Sequence, residues 1–184
     1  MSTSNKKCAV LVIDVQRGLC QGAEAAFDAD GVIDRINLVT SKARRANLPV
    51  VLIQHESNGG SLQHGTDGWQ LAEKLVVQPT DTLLRKTATD SFHKTDLHSI
   101  LQQFGVESLV ICGFQSDFCV DTTTRRALAL GYPVTLVSDG HSTVDNELLS
   151  AAIISQHHNI TLANITSFGP RATPRTASQV RFEA

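Results

Sequence analysis

Residues 108–130 read SLVICGFQSDFCVDTTTRRALAL, and the change of pattern within them decides the fold. Ser108 to Gly113 is a short apolar run rich in β-branched residues, which is typical of a strand buried on both faces of a sheet. Val120 to Leu130 instead places apolar residues three and four positions apart, as an amphipathic helix does. Gly131 follows at a position where a helix C-cap is expected. The stretch therefore predicts a strand, a short connection and a helix.

The same alternation of strand and helix patterns runs along the rest of the chain. Right-handed crossovers between parallel strands place helices on both faces of a sheet. We therefore expect an α/β fold: a three-layer α/β/α sandwich around a mostly parallel sheet. The predicted strands are Cys8 to Val15, Pro49 to Gln54, Thr82 to Arg85, Ser108 to Gly113, Val134 to Ser138 and a weaker Ile160 to Ala163. The predicted helices are Val32 to Ala46, Thr95 to Phe104, Val120 to Leu130 and Asn146 to His158.

The composition is that of one ordinary globular domain, covering residues 1–184. The net charge is −2 and 41% of the residues are hydrophobic. A near-neutral chain without a Lys/Arg stripe is not expected to bind nucleic acid. The apolar run Ala9 to Ile13 is interrupted by Asp14 and is too short for a signal sequence or a membrane span, so we expect a cytoplasmic protein with no membrane partner. Residues 169–184 show little periodicity and are interpreted as a C-terminal tail.

Three chemically useful side chains follow predicted strands. In parallel α/β sheets the functional site lies beyond the carboxyl ends of the strands. Asp14 and Lys86 each follow an apolar run, and Cys119 opens the helix that follows the strand of residues 108–113. Taken singly, they could be a loop-capping aspartate, a solvated lysine and an inert buried cysteine. Together they offer a base, a cation and a nucleophile, and we expect the cation and the helix N-terminus to favour the thiolate.

The other cysteines suggest no metal or redox motif. The chain has four cysteines and no CxxC pair, which argues against a zinc site. Cys8 and Cys112 lie inside predicted strands and are expected to be inert core residues. Cys20 lies in the loop after the first strand, and its role stays open.

With these residues in view, the sequence resembles the isochorismatase-like superfamily of cysteine hydrolases, which includes nicotinamidases, N-carbamoylsarcosine amidase and streptothricin hydrolase. The resemblance spans roughly Cys8 to Phe168. It is carried by the segments LVIDVQ ending at Gln16, His55-Glu56, Gly68-Trp69-Gln70-Leu71, Lys86 with Asp90-Ser91-Phe92, and above all CGFQSDFCVDTT from Cys112 to Thr123.

The resemblance implies a catalytic site and a strand order. Asp14, Lys86 and Cys119 match the family's catalytic triad, and the implied fold is a Rossmann-like six-stranded sheet in the order 3-2-1-4-5-6. The family also implies a cis peptide bond between Phe114 and Gln115. The main-chain N–H groups of Gln115 and Cys119 would then form an oxyanion hole for the substrate carbonyl.

The implied activity is hydrolysis of a small amide or ureido bond through a thioester on Cys119. Nicotinamidases of the family bind a metal through an Asp-x-His arrangement, whereas this chain reads Ile53-Gln54-His55-Glu56, which makes nicotinamide a less suitable substrate. Isochorismatases proper lack the cysteine, so isochorismate is also disfavoured. We expect no cofactor and no metal, although His55, His64 and Glu56 leave a metal site open.

Five residues are expected to border the substrate. They flank strand ends or match family segments that line the cleft: Gln16, His55, Trp69, Phe92 and Phe118. A structural role for Gln16 and a core position for Phe92 are equally compatible with the sequence.

The expected partners are a small-molecule amide substrate and other copies of the chain. Relatives commonly form dimers or tetramers, so we expect a homo-oligomer with the tail of residues 169–184 docked on a neighbour. Two other function classes stay open: a catalytically silent binding or scaffold protein of the same fold, and a redox-sensing protein that pairs Cys119 with Cys20.

Overall fold

The computed structural model describes residues 7–182. No helix within this range is both long and apolar enough to cross a membrane. The elements in chain order are β1 (Cys8–Ile13), α1 (Arg17–Cys20), α2 (Ala29–Arg45), β2 (Val50–His55), β3 (Thr82–Lys86), α3 (Leu97–Gln103), β4 (Ser108–Phe114), a π-helical turn (Ser116–Val120), α4 (Asp121–Ala129), β5 (Val134–Ser142), α5 (Ala151–Ala163) and β6 (Ala172–Arg175).

The strands form one parallel sheet in the order β3-β2-β1-β4-β5-β6. This confirms the order 3-2-1-4-5-6 expected from the family resemblance. β1 and β4 are the two central strands, and β1 pairs with β4 over its whole length, from Cys8 with Ser108 to Ile13 with Gly113. The carboxyl ends of β1, β2, β3 and β4 therefore meet at one edge of the sheet.

Alternate residues of β1 point to opposite faces of the sheet, as the pleat requires. Ala9, Leu11 and Ile13 belong to the core that also contains buried residues of α3, α4 and α5. Val10 and Val12 belong to a second core, which contains the buried face of α2. The protein is thus a three-layer α/β/α sandwich, as predicted.

The prediction of a strand at Ile160 to Ala163 was wrong, because these residues form the end of α5. Their β-branched side chains resemble a strand, but the buried positions of α5 are Ala151, Ile154 and Leu162, which follow the helical period. The sixth strand lies instead at Ala172–Arg175. Pro174 lies in this strand, and a proline is tolerated there because β6 is at the edge of the sheet.

The C-terminal residues make contacts with their own chain, and the expectation that they dock on a neighbour stays a prediction. β6 pairs with β5, and the Ala177 N–H donates to Asp139 at 2.7 Å. The Lys42 ammonium of α2 donates to the carbonyls of Ala177, Ser178 and Val180 at 2.8, 3.2 and 3.1 Å. The segment from 172 to 180 therefore belongs to the domain and is not a tail.

Candidate active site

Asp14 stands at the carboxyl end of β1 in a backbone conformation uncommon for aspartate. Its φ of 52° lies in the left-handed region, which costs a non-glycine residue on the order of 1 kcal/mol. Its N–H donates to the Ile53 carbonyl of β2 at 2.8 Å, and the side chain is fully buried. The carboxylate is thus fixed at the edge of the sheet.

Gly113 allows the two central strands to come together beside Asp14. It pairs with Ile13 and has a φ of 122°. A Cβ atom at this position would lie 2.0 Å from the Ile13 carbonyl oxygen, so only glycine fits. The chain then continues through Phe114, and the peptide bond between Phe114 and Gln115 is cis, which confirms the prediction.

Lys86 brings a buried ammonium to the centre of the site. It ends β3 and is 2% exposed. Its Nζ lies 2.7 Å from Asp14 Oδ2, 3.2 Å from Cys119 Sγ and 3.2 Å from His55 Nδ1. A fourth contact, at 3.1 Å, is to the carbonyl of Ala88 in the following loop. The structure therefore brings the predicted aspartate, lysine and cysteine together around one nitrogen atom.

Cys119 lies in the π-helical turn that precedes α4, and not at the first turn of the α-helix itself. The N–H groups of Phe118 and Val120 both donate to the Gln115 carbonyl, at 3.2 and 3.1 Å. The wider turn places the sulfur over the carboxyl end of β4, where Lys86 contacts it. Such π-helical turns are rare and are often found at functional sites.

The expectation that the environment favours a thiolate was wrong for the free protein. Burial, followed by the negative charge of Asp14, raises the pKa of the Cys119 thiol to about 12. The Lys86 ammonium acts in the opposite direction but does not outweigh them. The buried site therefore disfavours ionisation of the thiol, which lies beside the Asp14–Lys86 salt bridge.

Asp14 has a free acceptor for the thiol proton. Its Oδ2 accepts from Lys86, whereas its Oδ1 is buried and has no hydrogen-bond partner in the described part of the chain. A buried carboxylate oxygen without a partner is energetically unfavourable. A carboxylate oxygen of Asp14 lies within 4.8 Å of Cys119 Sγ, and the charge of Asp14 is one cause of the raised thiol pKa.

His55 faces the same ammonium and is held neutral. Burial, and then the positive charge of Lys86, lower the pKa of His55. Because Lys86 can only donate, His55 Nδ1 must accept at this contact, which leaves the proton on Nε2. His55 thus supports the position of Lys86.

Gln16 connects the ends of two strands with the loop that carries Trp69. Its amide nitrogen donates to the carbonyls of His55 and Trp69 at 2.9 and 2.8 Å, and its oxygen accepts from the His55 N–H at 2.8 Å. The side chain is fully buried. These contacts give Gln16 a positioning role, and no part of it is available to line a cleft.

The three aromatic residues expected at the pocket differ in exposure. Phe92 is 8% exposed and stacks on Tyr132 with ring centroids 6.4 Å apart, so it packs in the core. Phe118 is 51% exposed and lies one residue from Cys119. Trp69 is partly buried, packs edge-on against His64, and its indole nitrogen is buried without a partner among residues 7–182. Trp69 and Phe118 are thus the aromatic residues available to a ligand.

Asp14, His55 and Cys119 carry atoms that could bind a metal ion. Ligand atoms of Asp14, His55 and Cys119 lie within 4.8 Å of one another, but the Lys86 ammonium contacts all three. A cation is therefore already present where a metal would be bound. Glu56 is paired with Arg85 at 2.7 Å, so it is engaged outside this group.

The structure also shows supporting residues to which the sequence assigned no role. Thr123 of α4 bonds with the Ser91 N–H and hydroxyl at 3.1 and 2.9 Å, which ties α4 to the loop after Lys86. Ser116 bonds with His141 at 2.7 Å. These pairs are 32 and 25 residues apart in sequence, and a local pattern carries no signal for such contacts.

Comparison with known proteins gives consistent matches over nearly the whole chain. A family model described as an isochorismatase domain matches residues 8–166. Streptothricin hydrolase from Streptomyces noursei is 36% identical over 172 residues, which cover 89% of this chain and 62% of that protein. Nicotinamidase 3 from Arabidopsis thaliana is 26% identical over 167 residues, which cover 83% of this chain and 81% of that protein. A crystal structure of an isochorismatase family protein, 37% identical, superposes with a TM-score of 0.84 over 95% of this chain and 100% of the other.

A six-stranded parallel sheet with an aspartate, a lysine and a cysteine buried at the carboxyl ends of its strands defines the class of this protein. Together with the family match over residues 8–166, it shows that the chain belongs to the isochorismatase family. The chain spans less than two thirds of the length of the streptothricin hydrolases that it matches.

Proposed function

We propose that the protein is a cysteine-dependent hydrolase that cleaves a carbon–nitrogen bond in a small amide or ureido compound. The observation that carries the proposal is the contact of one buried ammonium, Lys86, with both Asp14 and Cys119 at the carboxyl ends of neighbouring strands. These are the elements that nucleophilic catalysis requires: a nucleophile, a base within reach of it and a charge that holds the base in place.

In the first half-reaction, the thiol proton of Cys119 passes to Asp14 as the sulfur attacks the substrate carbonyl. Burial and the charge of Asp14 raise the pKa of the thiol, which favours transfer of the proton as the sulfur attacks. The tetrahedral intermediate then expels the amine, which takes the proton from Asp14. A thioester on Cys119 and a free amine, or ammonia, are the products.

In the second half-reaction, Asp14 removes a proton from water as the water attacks the thioester carbonyl. The second tetrahedral intermediate expels the Cys119 sulfur, which regains the proton from Asp14. The carboxylic acid leaves and the site returns to its resting state. Asp14 therefore acts as base and acid in both halves.

Lys86 and the turn before α4 stabilise the charges that develop during the reaction. The ammonium holds the Asp14 carboxylate in place at 2.7 Å and stabilises negative charge that develops on the sulfur. The proposed oxyanion hole consists of the main-chain N–H groups of Gln115 and Cys119. Losing one such donor typically lowers the rate by a factor of about 100 to 1000.

The substrate class is supported by the family to which the chain belongs. Two of the family members that this chain resembles are a streptothricin hydrolase and a nicotinamidase. Nicotinamide is disfavoured here, because the Asp-x-His metal motif is replaced by Ile53-Gln54-His55. We propose that Trp69 and Phe118 form the wall against which a small organic substrate packs.

The proposal is tested with a panel of primary amides, ureido compounds, nicotinamide and streptothricin. Released ammonia and product masses are measured for the wild type, for Cys119→Ala and for Cys20→Ala. We expect Cys119→Ala to lose all turnover while it folds normally. Cys20→Ala is the matched control, since it removes another buried thiol and should keep full activity. Turnover that survives in Cys119→Ala would disprove the mechanism.

The structure does not favour the redox-sensing alternative. Cys20 belongs to the core on the α2 face of the sheet and Cys119 to the core on the other face. Burial raises the pKa of both thiols to about 12, which makes them poor targets for peroxide. A Cys20–Cys119 bridge detected by intact mass after mild peroxide would reverse this conclusion.

A further inference from the structure

A chain of buried hydrogen bonds lies behind the π-helical turn that carries Cys119. Ser116, the first residue of the turn, lies 2.7 Å from His141 Nδ1 and 2.9 Å from Ser155 Oγ. His141 Nε2 lies 3.0 Å from Asn159 Oδ1, and Asn159 Nδ2 donates to the Ser138 carbonyl at 2.9 Å. Ser116 is fully buried and His141 is 3% exposed. This series of hydrogen bonds joins the turn to β5 and α5.

The donor and the acceptor of every hydrogen bond in this series follow from its last bond, between Asn159 and the Ser138 carbonyl. Because Asn159 Nδ2 donates to the Ser138 carbonyl, its oxygen faces His141 and must accept from Nε2–H. His141 Nδ1 is then a bare acceptor for the Ser116 hydroxyl proton. The Ser116 oxygen in turn accepts from the Ser155 hydroxyl. Each group has a single role, which makes the arrangement rigid.

An irregularity in β5 brings His141 to this position. The pairing of β4 and β5 moves from Ile111 with Leu136 to Gly113 with His141. Two steps along β4 are thus matched by five steps along β5, and the extra residues form a bulge. Bulges of this kind redirect side chains next to functional sites. Here the result is an imidazole at the root of the turn, beside Gly113.

The residues after His141 hold the turn at a second point. The Thr143 hydroxyl donates to Asp117 at 2.6 Å. Consecutive residues of the turn, Ser116 and Asp117, are therefore bonded to the last residues of β5 and to the residue that follows it. The residue immediately before them is Gln115, whose N–H is a proposed oxyanion donor.

We propose that His141 is a positioning residue of this site, which acts through Ser116 to fix the Gln115 N–H relative to the Cys119 sulfur. The inference rests on the proposed hydrolase function and adds a residue to it. Within residues 7–182, His141 and Ser116 make no hydrogen bond with Asp14, Lys86 or Cys119. Their hydrogen bonds are therefore made to the turn that follows Gln115, and not directly to the proton-transfer groups.

The position of His141 also keeps it in the acceptor form. Burial lowers the pKa of His141 to about 4, so the ring is neutral near physiological pH. A protonated ring would offer a second donor to Ser116, and the chain of bonds would lose its direction.

The test compares Ser116→Ala and His141→Gln, singly and together, with His98→Gln as the control. His98 is suited to this use because its Nδ1 also contacts a hydroxyl, that of Tyr132 at 3.2 Å, away from the turn. The rates are measured on the substrate that the wild type hydrolyses fastest. Alkylation of Cys119 by iodoacetamide and amide hydrogen exchange over residues 113–120 are measured in parallel, and neither needs a substrate.

We expect kcat to fall about 10- to 100-fold in each single variant, with KM near the wild-type value, because a small displacement of the donor affects the transition state most. The double variant should be no worse than the singles, since both break the same bond. Alkylation should stay at the wild-type rate, whereas hydrogen exchange over 113–120 should become faster. His98→Gln should change none of these.

A kcat that is unchanged in both variants would overturn the inference, and so would an effect confined to KM or an equal loss in His98→Gln. If the wild type hydrolyses no compound of the panel, the proposed function fails. The positioning role of His141 is then tested by hydrogen exchange alone. If exchange over residues 113–120 is unchanged in Ser116→Ala and His141→Gln, His141 does not fix the turn. If exchange is faster in these variants, His141 does fix it.

Discussion

Replacing Asp14 with asparagine should make Cys119 more reactive toward an alkylating reagent and less active toward a substrate. Asparagine has nearly the shape of aspartate, but it carries no charge and cannot take a proton from the thiol. The Asp14 charge is one of the causes of the raised pKa of Cys119, and the Lys86 ammonium, which lowers that pKa, stays in place. The pKa of the thiol should therefore fall from about 12 in the variant.

The magnitude follows from the separation of the two groups. The ligand atoms of Asp14 and Cys119 lie within 4.8 Å of each other. At an effective dielectric constant of about 20, two unit charges at this distance interact by about 3.5 kcal/mol. This corresponds to a change of about 300-fold in the ionisation constant of the thiol. Because thiolates of lower pKa are weaker nucleophiles, the alkylation rate should rise by about 20-fold.

Turnover should move in the opposite direction. The loss of a general base lowers a rate by about 100- to 10,000-fold. Iodoacetamide labelling of Cys119, followed by peptide mass spectrometry over a range of pH, measures the first effect, and amide hydrolysis measures the second. Cys20 in the same samples is an internal control, since burial also raises its pKa to about 12. Equal or slower labelling of Cys119 in Asp14→Asn would refute the electrostatic reasoning.

Four further outcomes are expected. Gly113→Ala places a Cβ atom 2.0 Å from the Ile13 carbonyl oxygen, so its free energy of unfolding in urea should fall by at least about 2 kcal/mol; wild-type stability would contradict the close approach of β1 and β4. The pKa of His141 is lowered to about 4, so the folded state resists a proton that the unfolded chain accepts. Its contribution is complete above the ordinary histidine range and should be lost, by up to about 3 kcal/mol, as pH falls toward 4; a urea series in which His141→Gln shows the same slope would contradict this. Gln16→Leu removes the three hydrogen bonds to His55 and Trp69 and should raise KM while it lowers stability by about 3 kcal/mol; unchanged values of both would remove its positioning role. Sedimentation velocity should show a homo-oligomer, and a single species of 19.9 kDa would contradict that prediction.

The sheet and most of its helices could be predicted because their signals are local. Strands that are buried on both faces are continuous apolar runs, and β1 and β4 are of this kind. The chemistry-bearing residues could be found because the carboxyl ends of parallel strands meet at one edge. Asp14 and Lys86 could therefore be identified from the sequence because each directly follows or ends a predicted strand.

Other features depend on contacts that no local pattern records. The edge strand Ala172–Arg175 has no apolar run and contains Pro174, so it has no strand signal of its own. The thiol pKa was misjudged for a related reason: the neighbouring charges could be foreseen from the sequence, whereas the burial that outweighs Lys86 could not. The bonds of Ser116 with His141 and Ser155 likewise arise only when β5 and α5 are packed behind the turn.

The most direct test of the proposed mechanism is to trap the thioester. The wild type is mixed with the substrate that it hydrolyses, quenched in acid during turnover, and examined by intact-protein and peptide mass spectrometry. We expect an added acyl group, located on Cys119, that disappears as the substrate is consumed and is absent from Cys119→Ala. Steady hydrolysis without an adduct, or an adduct on another residue, would contradict the assignment of Cys119 as the nucleophile.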